Sequence, residues 1–314
     1  MPAYFSPPPH TVTKKGGVLM LRRITFLSLF AVAAALLWGG DAVRLGAKEG
    51  LNLCLYSVLP SLFPFFVLSS LLLSLGFAEA LGRLLFPMMN GLFHLGGNGA
   101  SALALGLIAG YPSGARAVSQ LYTDGLCGKE EAEHLLAFCN NCGPAFFLSY
   151  LGAERFGSTA VGMRLWLIHV LSAVLVGILL RPKRILSRDA AAKKTEAIGF
   201  AAAFTQAVQS GFSSFLGVSA FVLLFSVLLQ PIKSVFGSTP LLGVFELFSG
   251  ISALDGSPLA FLFAAALTAW GGLSVHAQSA SFFSAAGLSG RWYLRGKLLQ
   301  AVISTAIAAA LTFA

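Results

Sequence analysis

At 314 residues the chain has the length of one large soluble domain or two, but 56% of it is apolar and only 11% charged, a balance that excludes an ordinary soluble fold. The net charge of +9 does not point to nucleic acid. Lys and Arg gather at Lys14, Lys15, Arg22 and Arg23 and again at Arg181, Lys183, Arg184, Arg188, Lys193 and Lys194, flanking apolar runs as cytoplasmic loops of membrane proteins do.

The first 19 residues, with their Pro run, are expected to be a disordered tail, and Met20 is an alternative start. A basic pair then precedes the apolar stretch Met20 to Trp38. It lacks a small-x-small cleavage site and reads as a retained first helix. Leu51 to Leu75 is the second run, with Pro60 and Pro64 expected to kink it. Phe77 to Leu95 carries Glu79, Arg83 and His94 and suits a helix lying at the interface.

Ala100 to Tyr122 starts apolar, breaks at Gly110 and Pro112, and resumes with Arg116, Ser119 and Gln120, the pattern of a re-entrant hairpin. Broken backbone is tolerated at membrane depth only when it is buried in protein or faces a cavity. Its tip, GYPSGAR, offers anion ligands: amides freed by Gly110 and Gly114, the Ser113 hydroxyl and the Arg116 guanidinium beside Pro112. The alternative for Arg116 is snorkelling to a headgroup.

Leu135 to Leu151 reads as a further span bearing Asn140 and Asn141, one facing substrate and the other joining helices. Its Cys139 and Cys142 form a CxxC, but no second ligand pair for zinc accompanies it, so small packed residues are the plainer reading. With Cys54 and Cys127 these are the four cysteines of the chain. No disulfide framework is expected.

Val161 to Leu180 is an ordinary spanning helix. Beyond the basic linker come Phe200 to Gln230, then Leu241 to Ile251 with Glu246 at its centre, a candidate for ion coupling or for pairing with a buried Arg. A second broken segment, Leu259 to Ala286, contains GGLSVHAQ, in which Gly272, Ser274, His276 and Gln278 are candidates to face a cavity. Lys297 to Phe313 closes the chain.

A shift of 162 positions places Gly110 on Gly272 and yields seven identities without a gap, including Gly125 on Gly287 and Gly128 on Gly290. Counting crossings against charge makes the first half even-numbered if GYPSGAR re-enters on its own side. The halves are then inverted, with the N-terminus cytoplasmic. Arg291, Arg295 and Lys297 conflict with this by facing outward.

The expected organisation is therefore an all-α polytopic membrane protein of two inverted repeats, each with a re-entrant broken-helix hairpin. Residues 1–19 are a tail, 20–181 the first repeat, 182–198 a cytoplasmic linker and 199–314 the second repeat. No catalytic residue, metal or cofactor is expected, since GxSxG, HExxH and Walker-type loops are absent from the sequence.

The segments SVLPSLFPFFVLSSLLLSLG, GLIAGYPSGARAVSQLY, EAEHLLAFCNNCGPAFFLSYLG and GGLSVHAQ resemble the YlbJ family of sporulation integral membrane proteins, a likeness covering about residues 20 to 314. The resemblance implies a nucleoside-recognition or gate domain related to concentrative nucleoside transporters, with GYPSGAR and GGLSVHAQ as hairpin tips. It also implies movement of dipicolinate in endospore formation across a bacterial plasma membrane. The partners are then a small anionic solute and the bilayer, with a homo-oligomer left open and no nucleic acid. A membrane assembly factor and a nucleoside transporter are the alternatives.

Overall fold

A computed structural model describes residues 26, 30, 33–34, 36–75, 77–186 and 199–313. The expected tail and most of the helix from Met20 and of the linker lie outside them. The described chain is helical without strands, and five segments are long and apolar enough to cross a membrane: Gly40–Leu72, Thr159–Leu179, Phe200–Phe236, Pro258–Ala285 and Arg291–Phe313. The chain is an integral membrane protein.

The first of these joins α1 (Gly40–Leu53) to α2 (Leu59–Ser74) through a wide π-type turn, Cys54–Val58. Pro60 explains the turn: its ring would meet the carbonyl of the residue four positions earlier, Tyr56, and widening the helix there removes the clash. The pair α1–α2 runs antiparallel to α9 (Phe200–Phe236), from Gly46 against Val227 and Ser226 to Val67 against Gly211. A Cβ at Gly46, Gly50 or Gly211 would come within 3 Å of the facing helix, so small residues set this close crossing.

Helix α3 (Phe77–Gly91) leads to α4 (Gly99–Ala109) and α5 (Ser113–Thr123), which fold back on one another about the turn Gly110–Pro112. Next, α6 (Lys129–Leu136) stops, residues 137–145 run mostly unwound, and the chain rewinds as the π-type helix α7 (Phe146–Arg155). The segment Leu135 to Leu151 is therefore not the continuous span expected of it. Pro144 cannot donate within a helix, and Asn140 and Asn141 hold the unwound stretch by side-chain bonds. A Cβ at Gly106 or Gly114 would overlap the backbone of Cys139; glycine is what lets the α4–α5 hairpin dock there. Helix α8 (Thr159–Leu179) completes the first half.

In the second half a 3₁₀ turn at Pro240–Val244 folds back on the short α10 (Leu247–Ser252). Helices α11 (Pro258–Trp270) and α12 (Gly272–Ala285) follow, then α13 (Arg291–Phe313). Here the structure corrects an expectation. GGLSVHAQ is the first turns of α12, and α11 and α12 do not pack on one another but share one candidate span interrupted at Gly271. Two consecutive glycines of positive φ, Gly271 at 92° and Gly272 at 82°, bend the helix, whereas the three non-helical residues at Gly110–Pro112 reverse it.

The 162-position match has a local cause. Gly125 and Gly287 both have positive φ, at 70° and 72°, and Leu126 and Leu288 donate back to the carbonyls of Leu121 and Phe283. The identities mark the same Gly-terminated helix cap after α5 and after α12.

Candidate functional site

The turn Gly110–Pro112 and the start of α5 open onto a cavity of about 320 Å³, lined by Phe66, Ser69 and Ser70 of α2, by Tyr111, Ser113, Arg116 and Gln120, and by Ser210 and Ser214 of α9. Arg116 is exposed and has no acidic partner among the described residues. Ser113 begins α5, whose dipole favours negative charge there, while the amides of Ser113, Ala115 and Arg116 are already given to Gly110, Asn140 and Pro112. Of the five serine hydroxyls, those of Ser69 and Ser214 are given to the Ile108 and Ser210 carbonyls; the other three and the guanidinium have the chemistry to hold an anion.

A second cavity, about 60 Å³, shares Phe66, Ser69, Ala109 and Tyr111 with the first. It reaches Phe65, Phe146, Phe248, Val218, Gly110 and Gln278, so the polar chamber narrows into an aromatic throat with room for about two water molecules. Both hairpins border it, the first through Gly110–Tyr111 and the second through Leu247–Phe248. Each hairpin turn also meets a helix break. The Gly110 turn lies on Gly143, and Gly272 lies on Gly243, Phe245 and Leu247, with the Ser274 amide donating to the Phe245 carbonyl at 2.9 Å.

Behind the throat is a closed polar network. Asn140 accepts from the Ala115 amide at 3.1 Å and donates to Ser279 Oγ at 2.8 Å. Asn141 donates to the Phe138 carbonyl at 2.7 Å and accepts from Gln300 Nε2 at 3.1 Å. Lys297 Nζ donates to the Asn140 carbonyl and to Gln300 Oε1, and the Cys142 amide donates to His169 Nε2 at 3.1 Å. Each of these bonds except that from Lys297 to Gln300 touches the unwound stretch directly, and Asn140, Asn141, His169, Ser279, Lys297 and Gln300 have no solvent exposure.

Residues 55–179 match the family described as Gate, nucleoside recognition. Over 302 residues the chain is 29% identical to the sporulation integral membrane protein YlbJ of Bacillus subtilis (strain 168), an alignment covering 82% of this chain and 74% of that protein. The resemblance to the YlbJ family holds. No solved structure matches. The Gate match spans α2, the α4–α5 hairpin, the unwound stretch and α8, and so contains the part of the YlbJ-like chain that forms most of the polar chamber and throat.

The candidate residues divide accordingly. Pro112, Ser113 and Arg116 line the chamber, and Gly110 and Gln278 line the throat. Gly114 is packed beneath the hairpin and Gly272 beneath the second turn. Neither asparagine lines the chamber or the throat; both are held in the polar network. His276 is buried, with Nδ1 2.9 Å from the Tyr293 hydroxyl and its ring 4.2 Å from that of Trp270. Ser274 is buried at the start of α12. Glu246 does not pair with an Arg: its two oxygens accept from the amides of Phe248 and Ser249 at 3.0 and 2.6 Å, capping α10.

Lys297 belongs to this network. It is fully buried with Gln300 and Ser304, a polar stripe at positions i, i+3 and i+7 of the last apolar helix. That spacing was the available signal for the network. His169 and the chamber serines carried none, since single polar residues in apolar runs are common helix contacts.

Proposed function

We propose that this protein transports a small anionic metabolite across the membrane, with dipicolinate in endospore formation as the specific candidate. The observation that carries the reading is Arg116, a cation with no acidic partner among the described residues, at a Gly/Pro hairpin turn, in a serine-rich chamber that opens into an aromatic throat. A planar aromatic dicarboxylate matches both parts: carboxylates for the guanidinium and hydroxyls, ring faces for Phe66 and Tyr111. The similarity to a sporulation membrane protein supports the setting.

Both hairpins are read as re-entrant, and the halves as inverted repeats. Each half runs from a long helix through a hairpin and a broken helix to a continuous one: α1–α2, α4–α5, α6–α7 and α8, then α9, residues 240–252, α11–α12 and α13. In that register the Gly110 turn corresponds to Phe245–Leu247 and the Asn140–Asn141 break to Gly271–Gly272. The N-terminus is placed in the cytoplasm by the basic residues at 14–23.

The test is flux of labelled dipicolinate into proteoliposomes. Arg116→Gln is expected to lose most flux while reaching the membrane in normal amount. The Gate match favours one rival substrate, a nucleoside, and competition decides between them. Inhibition by unlabelled uridine with none by dicarboxylates would turn the reading to nucleosides, and no flux of either would remove transport.

A further inference from the structure

A third cavity, about 430 Å³, lies where α1 and the π-type turn face α10. It is lined by Glu49, Asn52, Tyr56 and Ser57, by Ser226 and Lys233 of α9, and by Ser249 and Ser252 of α10. Its composition is akin to that of the Arg116 chamber: one serine from the α1–α2 rod, one from α9, two from α10 and one basic side chain, against two, two, one from α5 and one basic side chain in the chamber, with the acid Glu49 added here. The three cavities fall in file along α9, from Ser210 and Ser214 through Val218 to Ser226 and Lys233. On the antiparallel rod the order is Ser70 and Ser69, then Phe66 and Leu62, then Ser57 and Asn52. Ser210 and Lys233 are about 23 positions apart, roughly 35 Å at the helical rise, against a hydrocarbon core of ~30 Å.

We infer that this third cavity is a second anion-binding station at the opposite membrane face, with Lys233 as its receiving cation, held in reserve by Glu49. The inference rests on the transport reading above. Lys233 Nζ donates to Glu49 Oε2 at 3.1 Å, and exposure decides which partner can let go: the Glu49 side chain is 41% exposed and that of Lys233 only 13%. Glu49 can therefore turn into water while the ammonium stays in the cavity. Two further side chains are prepared for a ligand. Ser249 is 2% exposed, and its buried Oγ lies by the Glu246 carboxylate without making a full hydrogen bond; Ser226 is 1% exposed. The neighbouring acid Glu154 is engaged by the hydroxyls of Ser57 and Ser61, at 2.7 and 3.1 Å, and the Glu246 carboxylate is held by the α10 amides. The station's ligand is thus a carboxylate that replaces Glu49 on Lys233 and takes bonds from Ser226 and Ser249, the hydroxyls of Ser57 and Ser252 being given to Glu154 and to the Ser249 carbonyl.

Oriented proteoliposomes that present one face or the other to labelled dipicolinate test this. Lys233→Gln is expected to raise KM roughly tenfold at the α10 face and to leave KM at the α5 face unchanged within about twofold. Arg116→Gln does the reverse. Glu49→Gln separates a station from a merely structural ion pair: it frees the ammonium and lowers KM at the α10 face, whereas a structural pair predicts that both variants damage the protein alike. Equal effects of Glu49→Gln and Lys233→Gln, or dependence on Arg116 with indifference to Lys233, overturn the station and leave the transport reading standing. No wild-type flux in either orientation removes both.

Discussion

The ammonium of Lys297 lies 5.2 Å from the centroid of the Tyr111 ring, which places a fully buried cation from the last helix behind one of the two aromatic residues, Tyr111 and Phe66, shared by the polar chamber and the throat. Tyr111 is also fixed at its far end, its hydroxyl donating to the Thr268 carbonyl at 2.9 Å. One ring thus joins the first hairpin turn to α11 and α13, and any anion stacked on it feels Lys297 through the ring. Among the described residues no carboxylate pairs with that ammonium.

Burying an ammonium costs several kcal/mol, and two hydrogen bonds to a charged donor return about 1.5–3 kcal/mol each. The terms nearly cancel. Lys297→Met removes the desolvation cost but leaves the Asn140 carbonyl and Gln300 Oε1 without their donor, and is expected to destabilise by about 1–3 kcal/mol, read as a lower thermal midpoint in detergent, while lowering dipicolinate flux at least tenfold. Gln300→Leu removes an acceptor from the ammonium and leaves Asn141 Oδ1 unpaired, and should destabilise by about 2–4 kcal/mol. A large loss of stability in Lys297→Met with flux intact would show that the lysine serves packing alone.

Docking of the first hairpin on the unwound stretch depends on Gly106 and Gly114, where added methyl groups overlap the Cys139 backbone. Backbone cannot move aside as a side chain does. Gly106→Ala and Gly114→Ala are expected to cost upwards of ~3 kcal/mol each, read as lower midpoints and faster proteolysis between α4 and α6. Gly91→Ala, at the end of α3, is the control: an added Cβ there meets nothing within 4 Å, and the midpoint should hold.

His134 lies in α6, outside the five candidate spans, with Nδ1 3.0 Å from the Leu180 carbonyl and its ring 4.2 Å from that of Trp292. Burial holds the imidazole below its ordinary value of 6.5, against the opposing pull of the Leu180 carbonyl, Glu130 and Glu133. Because the unfolded chain takes up the proton first, this contribution to stability is complete above 6.5 and declines as pH falls toward the folded value. His134→Gln should flatten the midpoint between pH 7 and pH 5. Glu131, raised by burial from 4.5, has the opposite sign in a window that starts lower, and stays in the variant as an internal reference.

Apolar length sufficed to find α8, α9, α13 and the run through Pro60 and Pro64, because the bilayer fixes how long a crossing helix must be. Gly110 and Pro112 likewise announced the first hairpin through their local backbone demands. What stayed hidden was set by distant partners. The gap between α6 and α7 is held by Ser279 and Gln300, 139 and 159 positions from Asn140 and Asn141, and nothing within Leu135 to Leu151 names them. The second hairpin escaped because its two arms are a 3₁₀ turn and a helix of six residues, too short for any periodicity.

Glu246 brings two physical roles into conflict, and substitution can part them. As the cap of α10 it gives each oxygen to an amide, a role that asks only for acceptors and is worth about 1–2 kcal/mol. As an ion-coupling carboxylate it would need its charge. Glu246→Gln keeps one acceptor without the charge, and Glu246→Ala removes both. The capping role predicts graded stability, wild type above Gln above Ala, with the proton and Na⁺ dependence of flux unchanged in the Gln variant. The second hairpin would then be a gate element whose acid is spent on its own backbone, resting by the Ser274–Phe245 hydrogen bond on the bend at Gly271. Flux that becomes independent of pH or Na⁺ in Glu246→Gln, at unchanged midpoint, would instead assign the carboxylate to the coupling ion.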